Sequence, residues 1–264
     1  MEYKFIEIKN KDDLKIRGVL NYNGELDNKK IILILHGFTG NKLGNSFFYV
    51  RMSREFVKMG YKVFRFDFTG SGESEGDFSD MTLSSEIADL DCIMNYIKGL
   101  EIAKDNKIYI MGHSMGGLIA TLTASKYNPD KMVLLAPANN MLDLIEDKIS
   151  EFDRKENRKV DSYKHLGMLV KREFMEDLKK YHPIEKAKEY KNPVLIMLGD
   201  KDPIITREIC DETKNSFGEN ATLKIIEGAD HSFVDYDIRN EMIKDIIEFF
   251  EYKIIVLNKY TYIY

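Results

Sequence analysis

The sequence has too few cysteines for a disulfide framework. Cys92 and Cys210 lie far apart, in neither a metal-like nor a C-x-x-C spacing, and read as two reduced, buried thiols. A cationic excess is also missing, since 39 basic residues face 44 acidic ones for a formal net charge of −5. That excludes the basic footprint of a nucleic-acid binder and the polybasic stretch that anionic membranes attract. No apolar run reaches the roughly 20 residues of a membrane-spanning helix. Residues 1–5 begin an alternating strand pattern rather than a signal peptide, so a cytoplasmic protein is expected. There is no low-complexity segment and no internal repeat. Gly70-Ser71-Gly72 lacks the third glycine and downstream partner of a dinucleotide fingerprint, and no His/Cys/carboxylate spacing points to a metal. Neither metal nor cofactor is expected.

What is present is a chain of 264 residues, 44% hydrophobic, enough for one large core with or without an insertion. Residues 3–8 and 14–21 read as strands, with Asp12 and Asp13 in the turn between them. The run 31–35, Ile-Ile-Leu-Ile-Leu, is short and β-branched, as in a strand buried on both faces. Strands at 62–66, 107–111, 131–136, 193–198 and 222–227 then alternate with helical patterns at 49–59, 83–98, 116–126, 207–216 and 238–251. Thr82 or Ser84 is available as a cap for the second helix. Such alternation predicts a mostly parallel sheet with helices on both faces and its chemistry in loops after the strands' carboxyl ends.

Residues 137–192 break the alternation. They offer no strand candidate, only two amphipathic helical patterns at 140–152 and 166–180 joined by the charged run 153–159. Because this stretch starts directly after a strand's carboxyl end, it reads as an inserted helical lid, with 1–136 and 193–264 forming the core.

Strand 107–111 runs through Gly112-His113-Ser114-Met115-Gly116-Gly117 into a helix. G-x-S-x-G alone is a weak pattern, but a sharp strand-to-helix turn lifts a serine hydroxyl above the sheet and needs small flanking residues, here Gly112 and Gly116. A serine nucleophile needs a base and the base an orienting acid. Of five histidines, His36 and His113 adjoin glycine turns and look positional, while His165 and His182 fall in the insertion. His231 follows strand 222–227 through a turn-rich loop and is the expected base. The acid belongs after another strand, where Asp200 and Asp202 are both available. Asp202 lies further into the loop and is preferred, with Asp200 bonding within the turn. Phe38 and Met115 are the expected backbone donors for an oxyanion, the latter at a helix N-terminus. The acidic, glycine-containing stretch 67–74 is expected to shape a loop beside the site rather than carry chemistry.

These pieces resemble the α/β-hydrolase family across essentially the whole chain: His36-Gly37-Phe38, residues 67–74, the turn around Ser114, Gly199-x-x-Asp202 and Gly228-x-x-His231, in the family's order. The resemblance implies an α/β-hydrolase fold with about eight strands and a serine nucleophile. Within the family, 36–40, 135–138 and 227–231 look most like bacterial cinnamoyl and feruloyl esterases, which also carry a small inserted lid. A small-molecule ester, with an aryl or hydroxycinnamoyl-type acyl group, is therefore the expected substrate. Related monoacylglycerol lipases, thioesterases and aminopeptidase-like hydrolases are the alternatives, and a non-catalytic ligand-binding protein the remote one. Leu142, Ile145 and Ile149 form a stripe that could face a pocket, a lipid or the body. The apolar, aromatic tail 254–264 fits either packing on the body or burial in a homodimer.

Overall fold

The structure, a computed structural model, describes residues 1–24, 30–104 and 106–251. The tail at 254–264 lies outside the described residues. Ten strands are described: β1 (Glu2–Lys9), β2 (Lys15–Tyr22), β3 (Lys30–Leu35), β4 (Lys62–Phe66), β5 (Lys107–His113), β6 (Lys131–Leu135), β7 (Ser162–His165), β8 (Met168–Lys171), β9 (Val194–Gly199) and β10 (Ala221–Ile226). Eight form one sheet in the order β1-β2-β4-β3-β5-β6-β9-β10, and β7 and β8 form a separate hairpin. The β1–β2 and β2–β4 pairs are antiparallel and the remaining pairs of the large sheet parallel. This is the α/β-hydrolase fold.

Between the strands lie α1 (Phe48–Lys58), α2 (Leu83–Gly99), α3 (Met115–Tyr127), α4 (Met141–Glu156), α5 (Arg172–Leu178), α6 (Pro183–Ala187), α7 (Arg207–Phe217) and α8 (Tyr236–Glu251). The apolar run of β3 is buried on both faces because helices cover both. On one face α1 packs with α8, whose Phe250 stacks on Tyr109 of β5 at 4.8 Å. On the other, α2, α3, α6 and α7 follow one another. The central α3 is buried from Met115 to Ala124, so it shows no amphipathic stripe. Thr82 is the cap of α2. Its Oγ1 accepts from Ser85 N–H at 3.0 Å, and Ser85 Oγ accepts from Thr82 N–H at 2.9 Å. Ser84 instead ties α2 to the insertion through Asp177, which accepts from its N–H at 2.7 Å and its hydroxyl at 2.6 Å.

Three expectations need correction. The insertion is not purely helical, because 162–171 forms the β7–β8 hairpin and the next helix starts only at Arg172. Leu166 and Gly167, both at positive φ (48° and 80°), make the two-residue turn that folds Met168 back onto His165. The first helix of the insertion also runs through half of the charged run, since its exposed face suits those charges, and it stops at left-handed Asn157. Finally, Cys210 is buried but Cys92 only partly so, and both are free thiols.

Candidate active site

Ser114 sits where β5 turns into α3, at φ 55° and ψ −120°, a conformation costing about 1–3 kcal/mol for a residue with a side chain. The surrounding backbone fixes it there. Ser114 N–H donates to Leu135 O at 2.9 Å, and Ser114 O accepts from Gly117 and Ala138 N–H at 2.9 and 3.0 Å. A Cβ on Gly112 would lie 2.2 Å from Gly116 O, and one on Gly116 would lie 2.3 Å from Leu35 O. The turn therefore closes only with glycine at both places, the residues singled out by the sequence pattern.

His231 lies in the loop after β10. Its Nδ1 donates to Asp202 Oδ2 at 2.7 Å. The Asp202 side chain is fully buried, and its other oxygen accepts from Ile204 and Ile205 N–H at 2.8 and 2.9 Å. Burial by itself would raise the Asp202 carboxyl. His231 and the two backbone donors outweigh it and hold the group below the usual carboxylate range. Asp200 turns the other way, accepting from Gly228 N–H at 2.7 Å and so bracing the two loops together.

His113 is a second support for His231. Its Nε2 donates to the His231 carbonyl at 2.8 Å and its Nδ1 accepts from Tyr49 Oη at 2.9 Å. Burial, followed by the neighbouring His231, pushes the His113 imidazole down to about 4. It therefore stays neutral and keeps one donor and one acceptor nitrogen.

The loop after β3 brings Gly37 against the serine, where an added Cβ would lie 3.0 Å from Ser114 Cβ. His36 pins this loop, since its Nδ1 donates to Gly37 O at 2.9 Å and its Nε2 accepts from Phe68 N–H at 3.1 Å. Among the described residues, the Phe38 and Met115 N–H groups have no acceptor, and Ser114 Oγ makes no hydrogen bond. The Phe38 ring is clamped by Phe174 (5.5 Å, 8° between planes), Phe78 (5.5 Å) and His165 (5.8 Å). Asp67 in the 67–74 loop is buried away from the cavity, accepting from Lys42 N–H and Nζ at 2.6 and 2.5 Å, and organises that loop as expected.

Ser114, His231, Phe38 and His113 share one cavity of roughly 630 Å³. Its roof comes from the insertion: Met141, Leu144, Ile145 and Lys148 of α4, with Tyr163 and His165 of β7. The stripe of Ile145 and Ile149 is buried, with Leu142 half-buried beside it. Sequence reasoning left two things out: the bond from His113 to the His231 backbone, and His165 as a cavity residue. The alternation of Tyr163 and His165 ahead of a Leu-Gly turn marks only that the two share a face, not that this face meets the cavity.

The sequence profile of the serine aminopeptidase S33 family matches residues 27–164, just over half of the chain. The chain belongs to the serine aminopeptidase S33 family. The profile of the dienelactone hydrolase family matches residues 173–248 of this S33 member. A Mycoplasma genitalium esterase/lipase is 26% identical over 232 residues, covering 77% of this chain and 83% of that protein. The lysophosphatidylserine lipase ABHD12 of Xenopus tropicalis is 32% identical over 116 residues, covering 42% of this chain but only 28% of the lipase. Among solved structures, Est1E of Butyrivibrio proteoclasticus with ferulic acid bound has a TM-score of 0.78 at 24% identity, covering 93% and 97% of the two chains. The Pyrococcus furiosus esterase Pf2001 has a TM-score of 0.69 at 24% identity, covering 94% and 91%. The chain spans just over a quarter of the length of the lysophosphatidylserine lipase it matches, and the two solved structures share its fold. No described helix is long and apolar enough to cross a membrane.

Proposed function

We propose that the protein is a carboxylic ester hydrolase that works through an acyl-enzyme on Ser114. The observation that carries this reading is the 2.7 Å bond from His231 to the fully buried Asp202, beside the cavity where Ser114 is held at its strained turn. His231 Nε2 takes the hydroxyl proton as Ser114 Oγ attacks the ester carbonyl, and Asp202 stabilises the resulting imidazolium. Phe38 and Met115 N–H groups receive the oxyanion, aided by the N-terminus of α3. His231 then returns the proton to the departing alcohol. A water deprotonated by His231 attacks the acyl carbon, the acid leaves and Ser114 is regenerated.

The substrate in this reading is a compact ester with an aryl, hydroxycinnamoyl-type acyl group, and 137–192 acts as its lid. A cavity of roughly 630 Å³ suits a small ligand, and Est1E, which shares the fold, has been solved with ferulic acid. A lipase is the second reading, favoured by Leu166 and Ile204, cavity residues that stay 77% and 43% exposed. Comparing kcat/KM for a methyl hydroxycinnamate, a short aliphatic ester and a long-chain monoacylglycerol decides between them, with Ser114→Ala as control. Preference for the monoacylglycerol would move the protein to the lipase reading. Fluorophosphonate label on a serine other than Ser114 would remove the nucleophile assignment.

A further inference from the structure

The cavity wall supplied by the insertion carries three polar groups that the proposed hydrolysis leaves unused. Lys148 lies on the cavity-facing row of α4 that begins with Met141, Leu144 and Ile145. Tyr163 and His165 occupy alternate positions of β7, so both present the same face, and both line the cavity. Tyr163 is 3% exposed, yet neither its hydroxyl nor the His165 ring makes a hydrogen bond among the described residues.

The charge of this cavity is opposite to that of the molecule. Among the described residues lining it none is acidic, in a chain with 44 aspartates and glutamates and a net charge of −5. Lys148 has one carboxylate neighbour among the described residues, Glu151 at 3.4 Å, and Glu151 is more closely held by Lys155 at 2.8 Å. Burial, followed by the charge of Lys148, holds the His165 imidazole below its usual range. Beside a cation the ring is a neutral donor and acceptor.

We propose that this wall is an anion subsite: the ester hydrolysed here carries a carboxylate or similar oxyanion, held by Lys148 and hydrogen-bonded by Tyr163 Oη and His165. The inference rests on the reading of the protein as an ester hydrolase. Its physical basis is twofold. A cleft with one cation and no carboxylate among its described lining residues concentrates anions, and because the Lys148 side chain is 55% exposed that attraction is open to screening by salt. A purely apolar substituent would instead cover Tyr163 Oη and His165 and leave them unpaired, which is unfavourable.

The test uses two pairs of esters matched in shape, one with the charge on the acyl side and one on the alcohol side. They are methyl 4-carboxycinnamate against methyl 4-methylcinnamate, and 4-carboxybenzyl acetate against 4-methylbenzyl acetate. At low salt, the anionic member of at least one pair is expected to show about ten-fold higher kcat/KM, as for a charge-assisted hydrogen bond. The advantage narrows as salt rises. Lys148→Gln brings the ratio toward one, Lys148→Glu takes it below one, and Lys148→Arg keeps it above one. A ratio near one for both pairs, or one indifferent to Lys148→Glu, overturns the subsite and leaves the esterase reading standing. If none of the four esters is hydrolysed, both fall together.

Discussion

His113 and His231 are linked side chain to backbone, with His113 Nε2 donating to the His231 carbonyl at 2.8 Å and the two rings 5.1 Å apart. One imidazole thus fixes where the next one starts. Replacing the donor, as in His113→Phe, leaves that carbonyl and the Tyr49 hydroxyl without partners. The expected cost is about 1–3 kcal/mol of stability, read in denaturant unfolding, and a lower kcat as His231 drifts. The pH dependence has a defined sign. The folded His113 titrates at about 4 and the ordinary imidazole at 6.5, so between these values the unfolded chain binds more protons. His113 therefore contributes a stability that is complete above 6.5 and lost as pH falls toward 4. Wild-type unfolding free energy should drop across that window more steeply than that of His113→Phe. Parallel curves would refute this.

Asp202 and Asp200 are neighbours with different partners, His231 Nδ1 and Gly228 N–H. Asp202→Asn is expected to lower kcat by about 10⁴, because the imidazole loses its tautomer and its counter-charge while the fold survives. Asp200→Asn keeps an acceptor for Gly228 and should change kcat far less. Esterase kinetics on both variants, with circular dichroism as a folding control, check the ranking.

Gly116 and Gly99 make a paired test of backbone crowding. A Cβ at Gly116 meets Leu35 O at 2.3 Å, whereas one at Gly99 has nothing within 4 Å. Gly116→Ala must therefore displace backbone at the serine turn and should lower stability by more than about 2 kcal/mol. Gly99→Ala, at the end of α2, should leave Tm level or raise it slightly. Equal melting temperatures would show that the turn is not closed as described.

Phe174 holds the ring of Phe38, whose N–H is a proposed oxyanion donor, through a stacked contact at 5.5 Å. Phe174→Leu keeps the site apolar but removes the flat surface. It is expected to lower kcat several-fold with little change in KM, as for a group that acts only on the transition state. Phe174→Tyr, which keeps the flat ring, should stay closer to wild-type kcat than Phe174→Leu. A change confined to KM would assign Phe174 to ground-state binding instead.

The strand and helix order of the core and the glycine-flanked turn at Ser114 were legible in the sequence for local reasons. A doubly buried strand needs a continuous apolar run, as in β3, and the turn at Ser114 has no room for a Cβ at Gly112 or Gly116. Those constraints act within a few residues, so they leave a mark in the chain. The β7–β8 hairpin was missed because its strands are four residues each, too short for alternation to stand out from a helical pattern.

What the sequence determined by itself is that Ser114, Asp202 and His231 each stand in a loop or turn directly after a strand. Tertiary structure alone decided which of them meet. Asp202 reaches His231 across 29 positions and His113 reaches the His231 backbone across 118, because parallel β5, β6, β9 and β10 bring their carboxyl ends to one edge. The character of the cavity was decided in the same way. Lys148, Tyr163 and His165 come from a helix and a hairpin folded over that edge, and no spacing along the chain records what a roof will face. Periodicity reports that a side is buried, and only packing reports against what.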